Sequence, residues 1–227
     1  MTFKEKLIQN FIEEERYKMI FKGLGTTLLI TLFAVLLGIL LGFLVATIRS
    51  TYSKTGKLFI LDRICWIYIT VIRGTPMIVQ LLIMYYVIFA SYNSKVVVAI
   101  LAFGINSGAY VAEIVRSGIM SIDAGQFEAG RSLGFSYAST MIYIIMPQAF
   151  KNILPALANE FIVLLKETSV CGYIGLMDLT RAGDIIRSRT YEAFLPLVAV
   201  AIIYLVMVAG LSYLVSLWER RLRASER

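Results

Sequence analysis

The chain has 227 residues, enough for one domain, and 59% of them are hydrophobic while only 16% are charged. A soluble average carries roughly 25% charged residues. With a mean hydropathy of +0.77, this chain holds more apolar surface than a water-soluble domain of its size can bury, which selects a bilayer protein and excludes a disordered chain, a disulfide scaffold and a nucleic-acid-binding domain. The net charge of +7 then belongs to loops beside lipid headgroups rather than to a nucleic-acid surface. There is no histidine, so imidazole catalysis and His metal sites are absent, and neither a catalytic residue nor a metal ligand is expected.

The N-terminus, residues 1–22, reads as an amphipathic helix lying in the membrane interface. Phe3, Leu7, Ile8, Phe11 and Ile12 share one helical face, while Lys4, Lys6, Glu13, Glu14 and Glu15 fall elsewhere. Leu24 to Ile48 is uncharged and long enough to cross a core of about 30 Å. A second apolar run starts near Ile64, is interrupted at Arg73-Gly74-Thr75-Pro76, and continues to Ser94. Val96 to Ala112 is the third span and Ala193 to Trp218 the last. Cys65 and Cys171 lie near opposite membrane faces, beyond reach of a disulfide.

The middle is ambiguous. Ser132 to Phe150 is uncharged but rich in Ser, Thr and Tyr, and Asn152 to Leu165 is apolar except at Asn159 and Glu160. Hydropathy alone allows five or six spans. Because proline favours helix starts, the fourth span is expected at about Pro147 to Thr168, after a cytoplasmic loop of short helices at about 120–147. The result is an all-α, polytopic protein with about five transmembrane helices across 23–218 and a basic tail at 219–227. Basic residues divide almost evenly between the two sides, so they do not fix orientation. Arg220, Arg221, Arg223 and Arg227 lean toward a cytoplasmic C-terminus.

From Gly125 the chain reads GQFEAGRSLGFSYASTMIYIIMPQAFKNILP. Small residues at Ala129, Gly130 and Gly134 allow close approach of a partner surface. Glu128 and Arg131 can pair on the helix or reach across to a partner; an amphipathic loop helix is the plain alternative. The residues resemble the EAA loop of ABC-importer permeases: Glu128-Ala129-Gly130, Gly134, Ile144 and Met146-Pro147 fall at its spacing, with Gly130 standing for its second Ala and Met146 for its Leu. Arg73-Gly74-Thr75-Pro76 with Val79-Gln80 is similar to a segment of the polar amino-acid subfamily. So is the run from Ser107-Gly108-Ala109-Tyr110 through Glu113, Arg116, Gly118-Ile119 and Gly125-Gln126, continued by Pro147-Gln148-Ala149, Pro155, Asn159-Glu160 and Lys166-Glu167-Thr168-Ser169.

That resemblance implies a multi-pass permease of the bacterial inner membrane whose loop docks on a cytoplasmic ATPase dimer, through Gly125, Glu128, Ala129, Gly130, Arg131 and Gly134. It places loop and C-terminus inside. It further implies an extracytoplasmic solute-binding protein and a polar amino-acid substrate. The chain carries no phosphate-binding G-x-x-x-x-G-K-[ST] motif; ahead of Gly56-Lys57, Thr51 stands where the first glycine belongs. It therefore holds no cofactor of its own, and ATP and Mg belong to the separate ATPase. Five spans are too few to enclose a polar path, so a second permease copy or a paralogue is expected.

Ionisable groups within spans usually face a cavity or a partner. Glu160 is the first substrate-binding candidate, with Asn159 beside it; the alternative is an interhelical hydrogen bond. Ser107 and Tyr110 lie three apart on one helical face. Glu113 follows, where a pair with Arg116 is the simpler expectation than substrate contact. Gln80 lies one turn beyond Pro76, at a broken helix whose exposed backbone must be satisfied. Two acids, and no Lys or Arg at the membrane centre, point to basic amino acids, arginine first. The alternatives are a neutral polar amino acid such as glutamine, or a secondary transporter, although no internal repeat is visible.

Overall fold

In the computed structural model of the chain, residues 2–224 are described, and every regular element among them is helical. Helix α1 (Phe3–Leu7) continues as a π turn (Ile8–Ile12), and α2 spans Tyr17–Thr55. Then come α3 (Phe59–Gly74), α4 (Met77–Ile83) with a π turn (Met84–Ile88), and α5 (Lys95–Met120). Helix α6 covers Ala124–Ser132; α7 (Tyr137–Thr140) runs through a π turn (Met141–Ile145) into α8 (Met146–Glu167) and a 3-10 segment (Thr168–Ile174). Helices α9 (Leu179–Thr190) and α10 (Phe194–Ala224) complete the chain.

The centre of the fold is the crossing of α2 and α5. Gly38 and Gly42 on α2 face Ser107 and Val111 on α5, and Gly104 faces Leu37. A Cβ at Gly42 would lie 2.5 Å from the Val111 side chain and 2.9 Å from the Ala112 nitrogen. Paired small residues four apart let helix backbones approach where lipid offers no hydrophobic drive. The contacts advance in the same direction along both helices, so α2 and α5 run parallel. Residues 56–94 must therefore cross the membrane once between them. Helices α3 and α4 do this as a broken unit bent by 111°, which makes five crossings with the four long apolar helices.

Helix α8 packs antiparallel on α5. Ser107 meets Glu160, Gly118 meets Ile153, and Asn152 Nδ2 donates to Ser121 Oγ at 2.8 Å. The apolar core between these helices holds Val111, Val115, Ala149 and Ile153. Helix begins ten residues before Pro147, at Tyr137, because Ser136 caps it by accepting from the Ser139 nitrogen at 3.1 Å. The π turn closes with the Met146 nitrogen on the Met141 carbonyl, one residue before Pro147, which has no N–H to contribute. The loop expected over 120–147 is thus one short helix and the start of the fourth span. Cys65 and Cys171 are buried thiols in separate clusters.

The interfacial helix is shorter than the segment 1–22. It ends at Ile12, and residues from Tyr17 onward belong to the first span. Phe3, Ile8 and Ile12 remain exposed, as an apolar face lying in lipid headgroups requires. Its other face is tethered to the end of α9. Asn10 Oδ1 accepts from the Thr190 hydroxyl at 2.8 Å, and Lys6 pairs with Glu192 at 2.8 Å. The tail from Glu219 continues α10 to Ala224; residues 225–227, with Arg227, lie outside the described residues.

The Lys6 contact holds Glu192 below its ordinary carboxylate value of 4.5. A lowered folded value means that the pair contributes fully above the ordinary value and is lost as pH falls through the lowered one. A spin label at Lys4 should therefore gain mobility over that acidic interval. Constant mobility would assign the tether to Asn10 and Thr190 alone.

Candidate functional site

A cavity of about 560 Å³ opens between α3, α5 and α8. Arg73, Tyr110, Glu113, Ser121, Asn152 and Glu160 are among its walls. Arg73 reaches it because α3 stops there. Thr75 is extended (φ −123°, ψ 146°), as a residue before proline prefers, so α3 ends at Gly74. Gln80 then satisfies the opened backbone. Its Nε2 donates to the Ile72 carbonyl and to Thr75 Oγ1, each at 2.8 Å. Its Oε1 accepts from Asn106 Nδ2 at 3.0 Å.

The charges converge from three helices. The Arg73 guanidinium lies over the Tyr110 ring, 5.5 Å from its centroid, and 4.0 Å from the Glu113 carboxylate. Arg116 donates to the same carboxylate, so two guanidinium groups share Glu113. On the opposite wall, Ser107 Oγ donates to Glu160 at 2.8 Å. Ser107 is fully buried beneath α2, where Gly38 leaves it room: a Cβ there would lie 2.7 Å from Ser107 Oγ. One wall thus presents a cation over an aromatic face and the other a carboxylate held by a hydroxyl. That arrangement complements a zwitterion.

The loop beyond α5 is built locally. Asp123 caps α6 by accepting from the Gly125 nitrogen at 2.6 Å. Gly134 adopts φ +81°, a left-handed conformation that ends α6 and that other residues enter only with strain. The Phe135 nitrogen then bonds the Gly130 carbonyl at 3.1 Å. Glu128, Ala129, Arg131 and Leu133 are exposed. Phe127 stacks on Tyr137, with ring centroids 6.0 Å apart, and so fixes α6 against the start of the fourth span.

Residues 38–224 match the sequence profile of the binding-protein-dependent transport system inner membrane components. The chain belongs to that family. The permease is similar to the glutamine transport system permease protein GlnP of Escherichia coli K12, 36% identical over 176 residues that cover 76% of this chain and 80% of that one. A solved amino acid ABC transporter crystallised with histidines is 45% identical, with a TM-score of 0.85, over 93% of this chain and 98% of that one. The inward-facing MetNI methionine transporter, 19% identical at a TM-score of 0.77 over 90% of this chain and 96% of that one, shares the fold. The protein is therefore an all-α, polytopic amino-acid ABC-transporter permease, as the sequence motifs imply.

Of the expected substrate-binding residues in this permease, Glu160 and Tyr110 line the cavity, and Ser107 stands behind Glu160 as its donor. Asn159 is exposed and does not line the cavity, since adjacent helix positions point about 100° apart. Gln80 is engaged at the helix break. Glu113 pairs with Arg116 as expected. The expectation of two acids with no Lys or Arg at the membrane centre left Arg73 out of the site, whereas Arg73 lines the cavity beside them; an isolated arginine in a long uncharged run is itself the signal for this. One correction follows. Gly130 does not face outward: a Cβ there would lie 2.6 Å from Thr140 Cγ2. It packs α6 against the permease's own chain, while Glu128, Ala129 and Arg131 hold the open face.

Proposed function

We propose that this permease moves polar amino acids, basic ones in preference, across a bacterial inner membrane, driven by a separate ATPase dimer that binds ATP and Mg. The carrying observation is the single cavity that holds Arg73, Tyr110, Glu113 and Glu160. Arg73 takes the substrate α-carboxylate, bidentate geometry being its natural mode. Glu160 takes the ammonium or the cationic side chain, and the second carboxylate tips the cavity toward cations. The permease works as a pair with a second copy or a paralogue, and receives substrate from a solute-binding protein on the outer side. ATP-driven approach of the two α6 helices swings the spans between outward- and inward-facing states.

Neutral substrates such as glutamine form a second reading, favoured by the Arg116–Glu113 pair, which already neutralises one of the two acids. Thermal stabilisation of the purified complex across the twenty amino acids separates the readings. Arginine, lysine and histidine are expected to stabilise it most. Selective stabilisation by glutamine supports the neutral reading, and none by any amino acid would remove substrate from the cavity.

Docking on the ATPase is tested at Leu133, whose side chain is 76% exposed at the end of α6. Leu133→Asp is expected to abolish ATP-driven uptake and co-purification of the ATPase, with membrane insertion intact. Wild-type uptake by that variant would move the docking surface elsewhere. Gly130→Trp does not serve this purpose, because it would disrupt the loop from within.

A further inference from the structure

A second, larger cavity of about 780 Å³ lies on the cytoplasmic side of the permease, between the end of α2, the start of α3, α5 and α6. Three arginines reach it: Arg49, Arg63 and Arg116. Two of them are matched by acids. Arg49 pairs with the buried Asp62 at 3.4 Å, and Arg116 pairs with Glu113. Arg63 is different: its guanidinium lies over the Phe59 ring, 5.0 Å from the centroid, and among the described residues no carboxylate meets it. The groove is left with one positive charge in excess. Trp66 and Ile69, deeper along α3 than Arg63, add an apolar wall to the same groove. Ile60, Ile64 and Ile67 on α3 are 73%, 57% and 54% exposed and extend this apolar surface outward, as a lipid-facing helix requires.

We propose that this groove seats an anionic phospholipid of the inner leaflet, with its phosphate at Arg63 and its acyl chains along α3. Basic pockets between helices on the cytoplasmic side are built for such headgroups. The tryptophan sits where an amphipathic ring marks the membrane interface. A soluble phosphate would match the arginine but not the apolar wall beneath it. Because Ala124 and Phe127 of α6 border the same groove, the lipid braces the loop that meets the ATPase. The seat is independent of which amino acid is carried.

Trp66 is a built-in reporter, and Trp218 is the chain's other tryptophan. The complete transporter carrying Trp218→Phe, with any tryptophans of its partner chains also replaced, is placed in phosphatidylcholine vesicles. These contain either brominated phosphatidylglycerol or brominated phosphatidylcholine. The anionic lipid is expected to quench Trp66 at about fivefold lower mole fraction, the effect of one basic residue near the surface. Arg63→Gln should erase that preference, and Arg63→Lys should keep most of it. Added inorganic phosphate should change nothing; reversal of quenching by phosphate would make this a soluble-anion site and overturn the proposal. Equal quenching by both lipids, or a preference that survives Arg63→Gln, would also overturn it. Absence of quenching by either lipid would place a second copy of the chain over the groove and overturn it equally.

Discussion

Glu160→Gln is expected to lower arginine uptake by roughly ten- to a hundredfold while glutamine uptake falls much less. The substitution keeps the shape of the side chain and an oxygen to accept from Ser107, which donates at 2.8 Å in the native protein. What it removes is the charge. A hydrogen bond to a charged group contributes about 1.5–3 kcal/mol, and a carboxylate in a partly desolvated cavity gains most from a cationic partner. Arg73→Gln is the complementary change. It should depress both substrates together, because the α-carboxylate is common to them. The measurement is uptake of arginine and glutamine into liposomes holding the complete complex, with ATP inside. Equal losses of the two substrates in Glu160→Gln would reassign Glu160 to helix packing and leave selectivity with the solute-binding partner.

Gly42→Leu should abolish recovery of folded permease. Even the first added carbon lies 2.5 Å from Val111 and 2.9 Å from the backbone nitrogen of Ala112. Val111 is fully buried, and the backbone of α5 cannot rotate aside. Overpacking by a few methylenes costs about 1–3 kcal/mol where neighbours can yield; here the two central helices must separate. Separation would also draw α2 away from Ser107 and so release the donor that orients Glu160. Gly25→Leu on the same helix is the control, since nothing lies within 4 Å of a Cβ there. It should insert and purify like the native chain. Monodisperse yield and thermal midpoint compare the two. A stable Gly42→Leu permease would show that α2 and α5 can part without loss of the fold.

The number of crossings was only bracketed by hydropathy. Lipid solvation is a property of a segment, so the long uncharged runs from Leu24, Val96 and Ala193 declare themselves. Segment 132–170 does not, because its serines, tyrosines and prolines suit both a loop and a span. The structure resolves the count by running Tyr137–Ile174 as one continuous helical span, while the parallel crossing of α2 and α5 requires one passage through residues 56–94. The close approach of Gly38 and Gly42 to Ser107 and Val111, and of Gly104 to Leu37, depends on contacts distant in sequence and emerged only from the packed structure.

The same division holds at the two sites. Composition selected a membrane protein, and the resemblance carried by the loop around Glu128 and Gly134, by Arg73-Gly74-Thr75-Pro76 and by the run from Ser107 implied an amino-acid ABC permease. Glu160 was also legible, because an acid inside a span is costly without a purpose. The company Glu160 keeps was not. Arg73 lies in α3, Tyr110 and Glu113 in α5, and Asn152 in α8, so their convergence is a product of tertiary packing. Asn159 and Gly130 illustrate the converse. Each has the right chemistry beside the right neighbour, yet a helix turns successive side chains by about 100°. Only the packed structure decides that Asn159 points away from the cavity and that Gly130 points into its own protein.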